Sequence, residues 1–560
     1  MRASTLHGEA NSICFNLRLR DPAGLYAAGN STVKDYCLSY GNQFVPSARP
    51  VSLPIGSASP AMISLDSLSF IGDTRFAMPT LKALGWQLVP VWPLSVALAL
   101  SCAPLPATSP TTAGATVREP PGPVRHVIVI TVDGLKPESY VAPDAHGLHI
   151  PVLRHLVADG ASSDGARSVF PSVTYPAHTS IASGVEPAKH GIVANRSFDP
   201  LEKNKEGWRW YAEDVKVPRV WDLASTAGYA SAAISWPVTV GAHATYLVPE
   251  IWRAGTSEDQ KLVRALSTPG LLEAVSKAYP GFDGRISDEG INDQGKADIA
   301  SYVIEQAKPS VLFLHLTQVD SAQHQHGIWS AEARAAIENT DQQLGRLLEA
   351  TERAGLTSST AFVIASDHGF ADVNRLVRPG VLLRQAGLIT LDAKAAVTAW
   401  SASVLPNGGS LYVYLKDPQD AAQRAATLKA FEDKAHEPNS GIGRILQAPE
   451  IAALGGDPEA FLALDGAPGT TFGAGYNGDY DAPATVQGMH GYDPNRPEMR
   501  ASLLLFGANV PKGKLVDARI IDIAPTVATW LNLPLKADGK ALSIVPQEPR
   551  AAQPELRVSQ

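Results

Sequence analysis

The stretch HVIVITVDG at residues 126–134 decides the fold, because a run rich in β-branched residues leads directly into an aspartate and a glycine. Continuous runs of this kind are typical of strands that are buried on both faces. Similar runs recur at 311–316, 361–366 and 502–506, and helical patterns such as 331–354 lie between them. The pattern predicts an α/β fold, in which a mostly parallel central sheet is sandwiched between helices.

Acidic and histidine side chains follow three of these runs at the point where each run ends. Asp133 follows the first run, Asp320 lies just after the second, and Asp367 and His368 follow the third. The carboxyl ends of parallel strands meet at one edge of a sheet, and ligands bind at that edge. We therefore expect these side chains to lie close together.

Two further histidines extend this set. His324 lies four positions after Asp320, so both side chains can project from one side of a helical turn. His490 stands in GMHGY, where nearby glycines let the backbone approach other segments closely. A single aspartate or histidine is usually a cap or a core residue, but the joint pattern of carboxylates and imidazoles without thiolates indicates Zn²⁺ or a harder divalent ion.

A hydroxyl-rich segment, FPSVTYPAHTS at residues 170–180, leads into a predicted helix. The free N–H groups at a helix start favour an anion such as a phosphate. A hydroxyl bound to a divalent cation gains alkoxide character near neutral pH and becomes a nucleophile. Ser172 and Thr179 are local candidates for the role of nucleophile, although both residues also suit turns and caps.

The motifs together resemble the alkaline phosphatase superfamily. Within it they are most similar to the type I phosphodiesterase/nucleotide pyrophosphatase family, in its bacterial ectonucleotide pyrophosphatase-like form. The resemblance runs from about residue 125 to about residue 545 and includes the stretch RIIDIAPTVATWLNLPLKADGKAL, which is similar to the closing helix and strand of the superfamily. The motifs are VDG at 132–134, FPSVTYPAHTS at 170–180, HGIVAN at 190–195, D-x-x-x-H at 320–324, SDHGF at 366–370 and GMHGY at 488–492.

The resemblance implies a role for each matching residue. Thr174 matches the nucleophile that forms a covalent phospho-threonine, and Asn195 matches a donor to a nonbridging phosphate oxygen. It also implies two divalent metal ions as cofactors, with Zn²⁺ as the expected metal. One ion is expected on Asp320, His324 and His490, and the other on Asp133, Asp367, His368 and Thr174. His178 and His190 belong to the motifs but not to the ligand set, so we expect them to be structural.

The implied function is a secreted phosphodiesterase/nucleotide pyrophosphatase that hydrolyses phosphodiester or pyrophosphate bonds of small substrates, a phosphoric ester hydrolase. Two alternatives stay open: a phosphate monoesterase with the same metals and nucleophile, and a noncatalytic binding protein on this fold. Gln318-Val319-Asp320 departs from the Glu-Pro-Asp that nucleotide-hydrolysing members often carry, which leaves nucleotide preference open. The net charge of −8 argues against a nucleic-acid polymer as partner.

The aromatic residues allow two interpretations. Five tryptophans follow Asn195, in the segment where the resemblance places part of a leaving-group pocket. They either form an aromatic wall of that pocket or, as aromatic residues more often do, belong to the core. They are Trp208, Trp210, Trp221, Trp236 and Trp252.

The chain before the first strand does not read as a domain. Residues 1–77 lack a sustained period and are expected to be a disordered, non-native upstream extension, whereas 78–107 match a secretory signal peptide. A linker at 108–124 follows, and Ala-Leu-Ser-Cys at 99–102 resembles a lipoprotein cleavage box, so a lipid anchor at Cys102 stays open. We expect a periplasmic or secreted protein, and the sequence does not set its oligomeric state.

The remaining boundaries follow from the resemblance and from composition. The catalytic domain is expected at 125–545, with a small α+β insertion at about 401–485 and a flexible tail at 546–560. All three cysteines lie at or before Cys102, so residues 103–560 cannot form an intrachain disulfide. Packing, and on our expectation metal binding, must stabilise this domain.

Overall fold

The structure is a computed structural model that describes residues 12–17, 34–39, 118–204, 207–251, 256–287 and 290–546. The chain divides into two compact units, residues 1–106 and 107–560. Within the first unit, the strands Ser12–Leu17 and Lys34–Ser39 pair antiparallel inside the expected extension. The expected signal peptide at 78–107, the first part of the linker and the tail after residue 546 lie outside the described residues.

The second unit is organised around a nine-stranded sheet. The strand order is β9-β8-β2-β7-β6-β1-β5-β3-β4. In chain order these strands are β1 (His126–Val132), β2 (Ala161–Ser162), β3 (Ser231–Trp236), β4 (Tyr246–Pro249), β5 (Val311–Leu316), β6 (Thr360–Ala365), β7 (Leu503–Gly507), β8 (Gly513–Leu515) and β9 (Ile544–Pro546).

Strands β6, β1, β5, β3 and β4 run parallel to one another, which confirms the predicted α/β fold with a mostly parallel sheet. The last long apolar run, β7, instead pairs antiparallel with β6 and β2. An apolar run reports burial on both faces and carries no information about strand direction. In the register of β1, Val132 lies opposite Leu316 and Thr131 lies opposite Ala365, so the three carboxyl ends meet at one edge.

Helices cover both faces of the sheet. The α-helices are α1 (Glu138–Val141), α2 (Pro151–Asp159), α3 (Thr174–Ser183), α4 (Pro187–His190), α5 (Val220–Thr226), α6 (Ser257–Leu266), α7 (Leu271–Ala278), α8 (Asp293–Ala307), α9 (Gln318–His326), α10 (Ala331–Arg353), α11 (Gly380–Gln385), α12 (Ala421–Ala435), α13 (Ala448–Ala453) and α14 (Ile523–Leu531). Within the described part of the chain, every helix is too short or too polar to cross a membrane.

Two hydrophobic cores form because side chains of a strand alternate between faces. From β1, Ile128 and Ile130 join the core beneath α8 and α10, whereas Val127 and Val129 join the core beneath α3 and α14. Each such side chain contributes roughly 1.5–3 kcal/mol when fully buried. The sheet edge that carries the predicted site is thus fixed from both sides.

The expected insertion holds a separate sheet with its own core. Four antiparallel strands form it: Ala402–Asn407, Ser410–Leu415, Leu462–Gly466 and Ile442–Gln447, in that order. A second small sheet brackets it and begins earlier in the chain than residue 401. Its strands are Ala371–Val377, Gly469–Phe472, Asp481–Pro483 and Gly488–Met489. Two separate two-stranded sheets pair Ile286–Ser287 with Gly290–Ile291 and Ile389–Leu391 with Val397–Trp400. The two four-stranded sheets therefore start just after His368 and end just before His490.

Candidate active site

Helix α3 presents the predicted nucleophile at its first position. Val173 is extended, with φ −127° and ψ 158°, and Thr174 is the first helical residue and is 9% exposed. The Tyr175 backbone N–H donates to Asn195 Oδ1 at 2.8 Å. Because Oδ1 of Asn195 is engaged in this way, its Nδ2 group remains to donate to a ligand. The helix start and Asn195 together favour an anion beside Thr174.

The first set of predicted ligands, Asp320, His324 and His490, forms a group that we call the outer group. Ligand atoms of these three residues lie within 4.8 Å of one another. Asp320 Oδ1 is 3.4 Å from His324 Nε2 and 3.6 Å from His490 Nε2. Helix α9 supplies two of the residues, as their spacing of four positions predicts.

The second set, Asp133, Asp367 and His368, forms the inner group. His368 Nε2 is 3.3 Å from Asp133 Oδ1 and 3.1 Å from Asp367 Oδ2. Asp320 also lies within 4.8 Å of Asp133 and His368. Asp320 therefore stands between the two groups, which the sequence did not indicate.

The three histidines of the two groups are oriented in the same way. Their Nδ1 atoms donate to backbone carbonyls: His324 to Gly488 at 2.8 Å, His490 to Ser172 at 3.1 Å and His368 to Gly369 at 3.1 Å. A neutral imidazole that donates from Nδ1 carries its lone pair on Nε2. Histidines that bind metals in proteins are held in this manner, so all three Nε2 atoms are available as ligands.

The carboxylates of the two groups differ in the direction of their pKa shifts. In the inner group, burial and the charge of Asp320 raise the pKa of Asp133 well above its usual value. Burial and the charge of Asp133 raise the pKa of Asp367 in the same way. In the outer group burial would raise the pKa of Asp320, but the neighbouring imidazoles of His324 and His490 outweigh it and the pKa is lowered.

Burial favours the neutral form of two of the three ligand imidazoles. Burial lowers the pKa of His490 to about 4, even though Asp320 acts in the opposite direction. Burial and His490 lower the pKa of His368 well below its usual value. For His324 the attraction of Asp320 exceeds the effect of burial, and the pKa is raised. The neutral rings of His368 and His490 therefore keep a lone pair free to bind a cation.

Several polar atoms of the two groups are buried without a hydrogen-bond partner. They are Asp133 Oδ1, Asp320 Oδ1, Asp367 Oδ2 and His368 Nε2. Buried polar atoms normally have partners, so four unpaired acceptors at one place call for a positive charge among them. Oxygen and nitrogen donors of this kind fit divalent cations such as Zn²⁺. The residues present therefore fit the metal ions that the resemblance implies.

The segments that carry the ligands are tied to the start of α3. The hydrogen bond from His490 reaches Ser172, two positions before Thr174. At Gly491, φ is +92° and an added Cβ would lie 1.8 Å from the Asn407 carbonyl oxygen. Only glycine allows this approach, which places His490 against the insertion.

Two buried histidines that sequence reasoning left out of the site contact it. His178 donates from Nδ1 to the Thr174 carbonyl at 2.8 Å, and the same atom is 3.5 Å from Asp367 Oδ2. His315 places Nε2 3.1 Å from Asp133 Oδ2. His315 interrupts the apolar run VLFLHL, and that interruption was the available sequence signal.

The tryptophans after Asn195 divide between the two interpretations. Trp210, Trp221 and Trp236 are at most 6% exposed and belong to the cores. Trp208 is only partly buried, its ring centroid lies 5.2 Å from that of Tyr175, and the Arg196 guanidinium lies over the Trp208 ring, 5.3 Å from its centroid. Trp252 lies outside the described residues. Of the four tryptophans of this set that the structure describes, Trp208 alone is only partly buried, and it packs against the residue that follows Thr174.

Comparison with known proteins gives a consistent result. The profile of the family described as type I phosphodiesterase / nucleotide pyrophosphatase matches residues 127–493. Ectonucleotide pyrophosphatase/phosphodiesterase family member 1 of Rattus norvegicus is 26% identical over 253 residues, which are 43% of this chain and 24% of that protein. Ectonucleotide pyrophosphatase/phosphodiesterase 1 of Saccharomyces cerevisiae is 25% identical over 425 residues, 69% of this chain and 53% of that protein. The chain thus spans about a quarter to a half of the length of these relatives.

A solved structure shares the fold. Murine ectonucleotide pyrophosphatase/phosphodiesterase 5 superposes with a TM-score of 0.50 at 19% sequence identity, covering 75% of this chain and 100% of that chain. The same murine protein is also known as an inactive threonine-to-alanine variant in complex with AMP. At this level of identity the likeness concerns the fold alone.

Proposed function

Because the chain belongs to the type I phosphodiesterase/nucleotide pyrophosphatase family, we propose that it hydrolyses phosphodiester or pyrophosphate bonds of small substrates with two divalent metal ions, and that Thr174 forms a covalent phospho-threonine. The observation that carries this proposal is the set of four unpaired buried acceptor atoms in the inner and outer groups. Zn²⁺ is the metal that the mixed oxygen and nitrogen donors favour.

Different residues of the chain would bind the metal ions and the phosphoryl group. When bound, two cations would favour the alkoxide form of the attacking hydroxyl and polarise the phosphoryl oxygens. The outer group would hold one ion and the inner group the other. Asn195 Nδ2 and the free N–H groups of α3 would donate to the nonbridging oxygens, where negative charge develops in the transition state.

The reaction runs in two displacements. In the first, Thr174 Oγ bonds to phosphorus, and the bond from phosphorus to the leaving alcohol or nucleoside phosphate breaks. In the second, water attacks the phospho-threonine and restores the Thr174 hydroxyl. The hydrogen bond from His178 to the Thr174 carbonyl holds the first turn of α3 in place for both steps.

The murine neighbour supports two parts of this proposal. Its inactive form replaces a threonine by alanine, and that form binds AMP. By analogy, we propose a nucleotide as a substrate of this chain, with the half-buried ring of Trp208 beside the site for the organic group.

A direct test is to trap the intermediate. Purified protein is mixed with an aryl phosphodiester, quenched in acid and digested, and the peptide with Thr174 is examined for one added phosphoryl group. Thr174→Ala should abolish the modified peptide and lower kcat/KM at least about 10³-fold, because the nucleophile is lost. Thr174→Ser should retain both in part.

Thr179→Ala is the matched control for that experiment. Thr179 lies in the same helix, is buried, and its hydroxyl donates to the Tyr175 carbonyl at 2.8 Å, away from the ligand groups. Thr179→Ala should leave the phosphorylation of Thr174 and kcat/KM close to the wild-type values. Wild-type rates in Thr174→Ala would mean that water attacks the substrate directly.

A second candidate function, hydrolysis of phosphate monoesters, is favoured by one cationic residue. Arg196 and Trp208 pair across an antiparallel bridge, and the Arg209 N–H donates to the Asn195 carbonyl at 3.0 Å. Asn195 and Arg209 are therefore neighbours across this bridge. Arg209 Nε is buried without a hydrogen-bond partner.

One assay separates the two candidates. A monoester carries an additional negative charge, which a nearby guanidinium would stabilise, whereas a diester needs space for a second organic group. We expect kcat/KM for an aryl phosphodiester to exceed that for the matching monoester by at least about tenfold, or about 1.4 kcal/mol. A preference for the monoester that disappears in Arg209→Met would favour the phosphatase.

We also propose export to the periplasm or the medium, on the basis of the pattern at 78–107. The mature N-terminus should then fall between about residues 100 and 110, as N-terminal sequencing of the exported protein would determine. A lipid anchor would appear as a diacylglyceryl group on Cys102. Cytoplasmic protein that begins at Met1 would contradict the proposal.

A further inference from the structure

Behind the inner group, His315 lies between two carboxylates. Its Nε2 is 3.1 Å from Asp133 Oδ2, and its Nδ1 is 2.7 Å from Glu250 Oε2. The side chains of all three residues are at most 5% exposed. The three ligand histidines donate from Nδ1 to backbone carbonyls, whereas both ring nitrogens of His315 face carboxylates. His315 is thus connected to the site in a different way.

The contact from His315 decides which oxygen of Asp133 is available. Asp133 Oδ2 is engaged by His315, whereas Oδ1 is buried without a hydrogen-bond partner and lies 3.3 Å from His368 Nε2. The other carboxylate of the inner group shows the same division, since Asp367 Oδ1 accepts the Gly134 N–H at 3.2 Å and Oδ2 has no partner. In each carboxylate one oxygen is fixed so that the other points at the site.

We infer that Glu250 and His315 are positioning residues that hold Asp133 in the orientation needed to bind the ion of the inner group. This inference rests on the proposed two-metal function. Asp367 is oriented by the backbone N–H of Gly134, which among substitutions only proline would remove, but Asp133 is oriented by a side chain. Rotation of the Asp133 carboxylate would break the hydrogen bond to His315, so the ring restricts it.

Glu250 in turn fixes the His315 ring. It follows β4 directly, two strands away from β5, and its carboxylate lines a small cavity of about 50 Å³ together with Lys296 and Thr317. Lys296 Nζ donates to Thr317 Oγ1 at 2.7 Å and provides a positive charge at the same cavity. The cavity also leaves room for the amide of a glutamine, so Glu250→Gln can be accommodated without overpacking.

The two ligand groups should respond differently when this arrangement is broken. Substituting a residue that orients a metal ligand typically weakens metal binding by about 10–100-fold. Asp133 belongs to the inner group, and the outer ligands His324 and His490 are oriented by carbonyl groups instead. Loss of His315 should therefore weaken one of two metal sites.

The experiment is a Zn²⁺ titration of chelator-stripped full-length protein in competition with a chromophoric chelator. The wild type should show two sites. His315→Gln should weaken one of them by about 10–100-fold and leave the other unchanged. Glu250→Gln should weaken the same site by less, and the double variant should bind like His315→Gln, because Glu250 acts through His315.

His126→Gln is the matched control. His126 is also a buried histidine, at the opposite end of β1, and its Nδ1 bonds the Pro309 carbonyl at 2.9 Å. His126→Gln should leave both Zn²⁺ affinities unchanged. A general effect of losing a buried imidazole would appear in this variant too and can be distinguished from the effect of His315→Gln.

The outcomes distinguish the inference from the function on which it rests. Two unchanged sites in folded His315→Gln would overturn the positioning role and leave the two-metal function intact. Thermal unfolding shows whether His315→Gln is folded. If it is not folded, the Zn²⁺ titration of Glu250→Gln decides the question. One weakened site would support the inference, and two unchanged or two equally weakened sites would overturn it. A wild type that binds no divalent cation would overturn both.

Discussion

The outer and inner ligand groups use the same side-chain types but lie in different surroundings. In the outer group, the His324 and Asp320 side chains are 23% and 17% exposed. In the inner group, Asp367 and His368 are fully buried and Asp133 is 5% exposed. The outer group pairs one carboxylate with two imidazoles, and the inner group pairs two carboxylates with one imidazole.

This difference shows how the balance of charges, more than the choice of ligands, sets the need for a cation. The imidazoles around Asp320 lower its pKa, whereas burial and mutual repulsion raise the pKa of Asp133 and of Asp367. Two buried carboxylates cannot both ionise at low cost without a neighbouring positive charge. We therefore expect the inner group to depend more strongly on its metal than the outer group.

The largest effect should come from removing a carboxylate of the inner group. Asp367→Asn should lower the metal content from about two ions to about one and kcat/KM at least about 10³-fold, because the ion and its charge are lost together. Metal analysis and a diester assay on one preparation measure both. Exposed Asp479→Asn is the control, and two ions with normal rates in Asp367→Asn would remove the inner group from the mechanism.

A smaller effect is expected for a residue that belongs to neither ligand group. Asn195→Ala should lower kcat about 10²-fold, since it removes one donor to the developing charge, and should leave the metal content at the wild-type value. The assay is run at saturating substrate. Should Asn195→Ala lose a metal ion instead, the residue would support the ligand groups and not the phosphoryl oxygens.

The sequence predicted which residues form the two ligand groups, but not how the charges of the two groups differ. The runs that became β1, β5 and β6 and the residues that follow them could be identified because burial and strand ends leave local signals. The position of Asp320 between the two groups could not, since it depends on distances across the sheet edge. Glu250 is an ordinary acid after a short strand, and its meeting with His315 depends on the strand order β5-β3-β4.

Stability of the metal-free protein should change with pH in the direction set by the inner group. Above about pH 4 an unfolded aspartate has lost the proton that buried Asp367 still holds, so the folded state binds more protons. The free energy of unfolding should then fall by about 1.4 kcal/mol for each pH unit, up to the raised pKa. Denaturant unfolding with a chelator present should show this slope, and Asp367→Asn should reduce it.

An unchanged slope in Asp367→Asn would mean that another group holds the proton. Adding Zn²⁺ to the wild type provides the internal control, because a bound cation keeps both carboxylates ionised and should abolish the dependence.

The smallest effect has the opposite sign and comes from a buried histidine outside both groups. His190 lies between Ser180 Oγ, 2.9 Å from Nε2, and the Ile192 N–H, which donates to Nδ1 at 3.1 Å. Burial lowers its pKa to about 3. Between about pH 6.5 and pH 3 the unfolded state binds the proton, so the free energy of unfolding falls as pH decreases.

At pH 6 this loss should amount to about 0.7 kcal/mol relative to pH 7, and His190→Gln should lack it. The measurement compares the pH slopes of wild type and variant, which separates titration from any general destabilisation. Equal slopes would assign the acid sensitivity to other groups.

The hydrogen bond between His490 and Ser172 joins residues that are 318 positions apart. A ribosome must therefore synthesise nearly the whole domain before the outer group can close over Thr174. Nascent chains and truncated products that stop before residue 490 lack one residue of the outer group and its contact with the segment before Thr174. The outer group can thus form only in molecules that extend beyond residue 490.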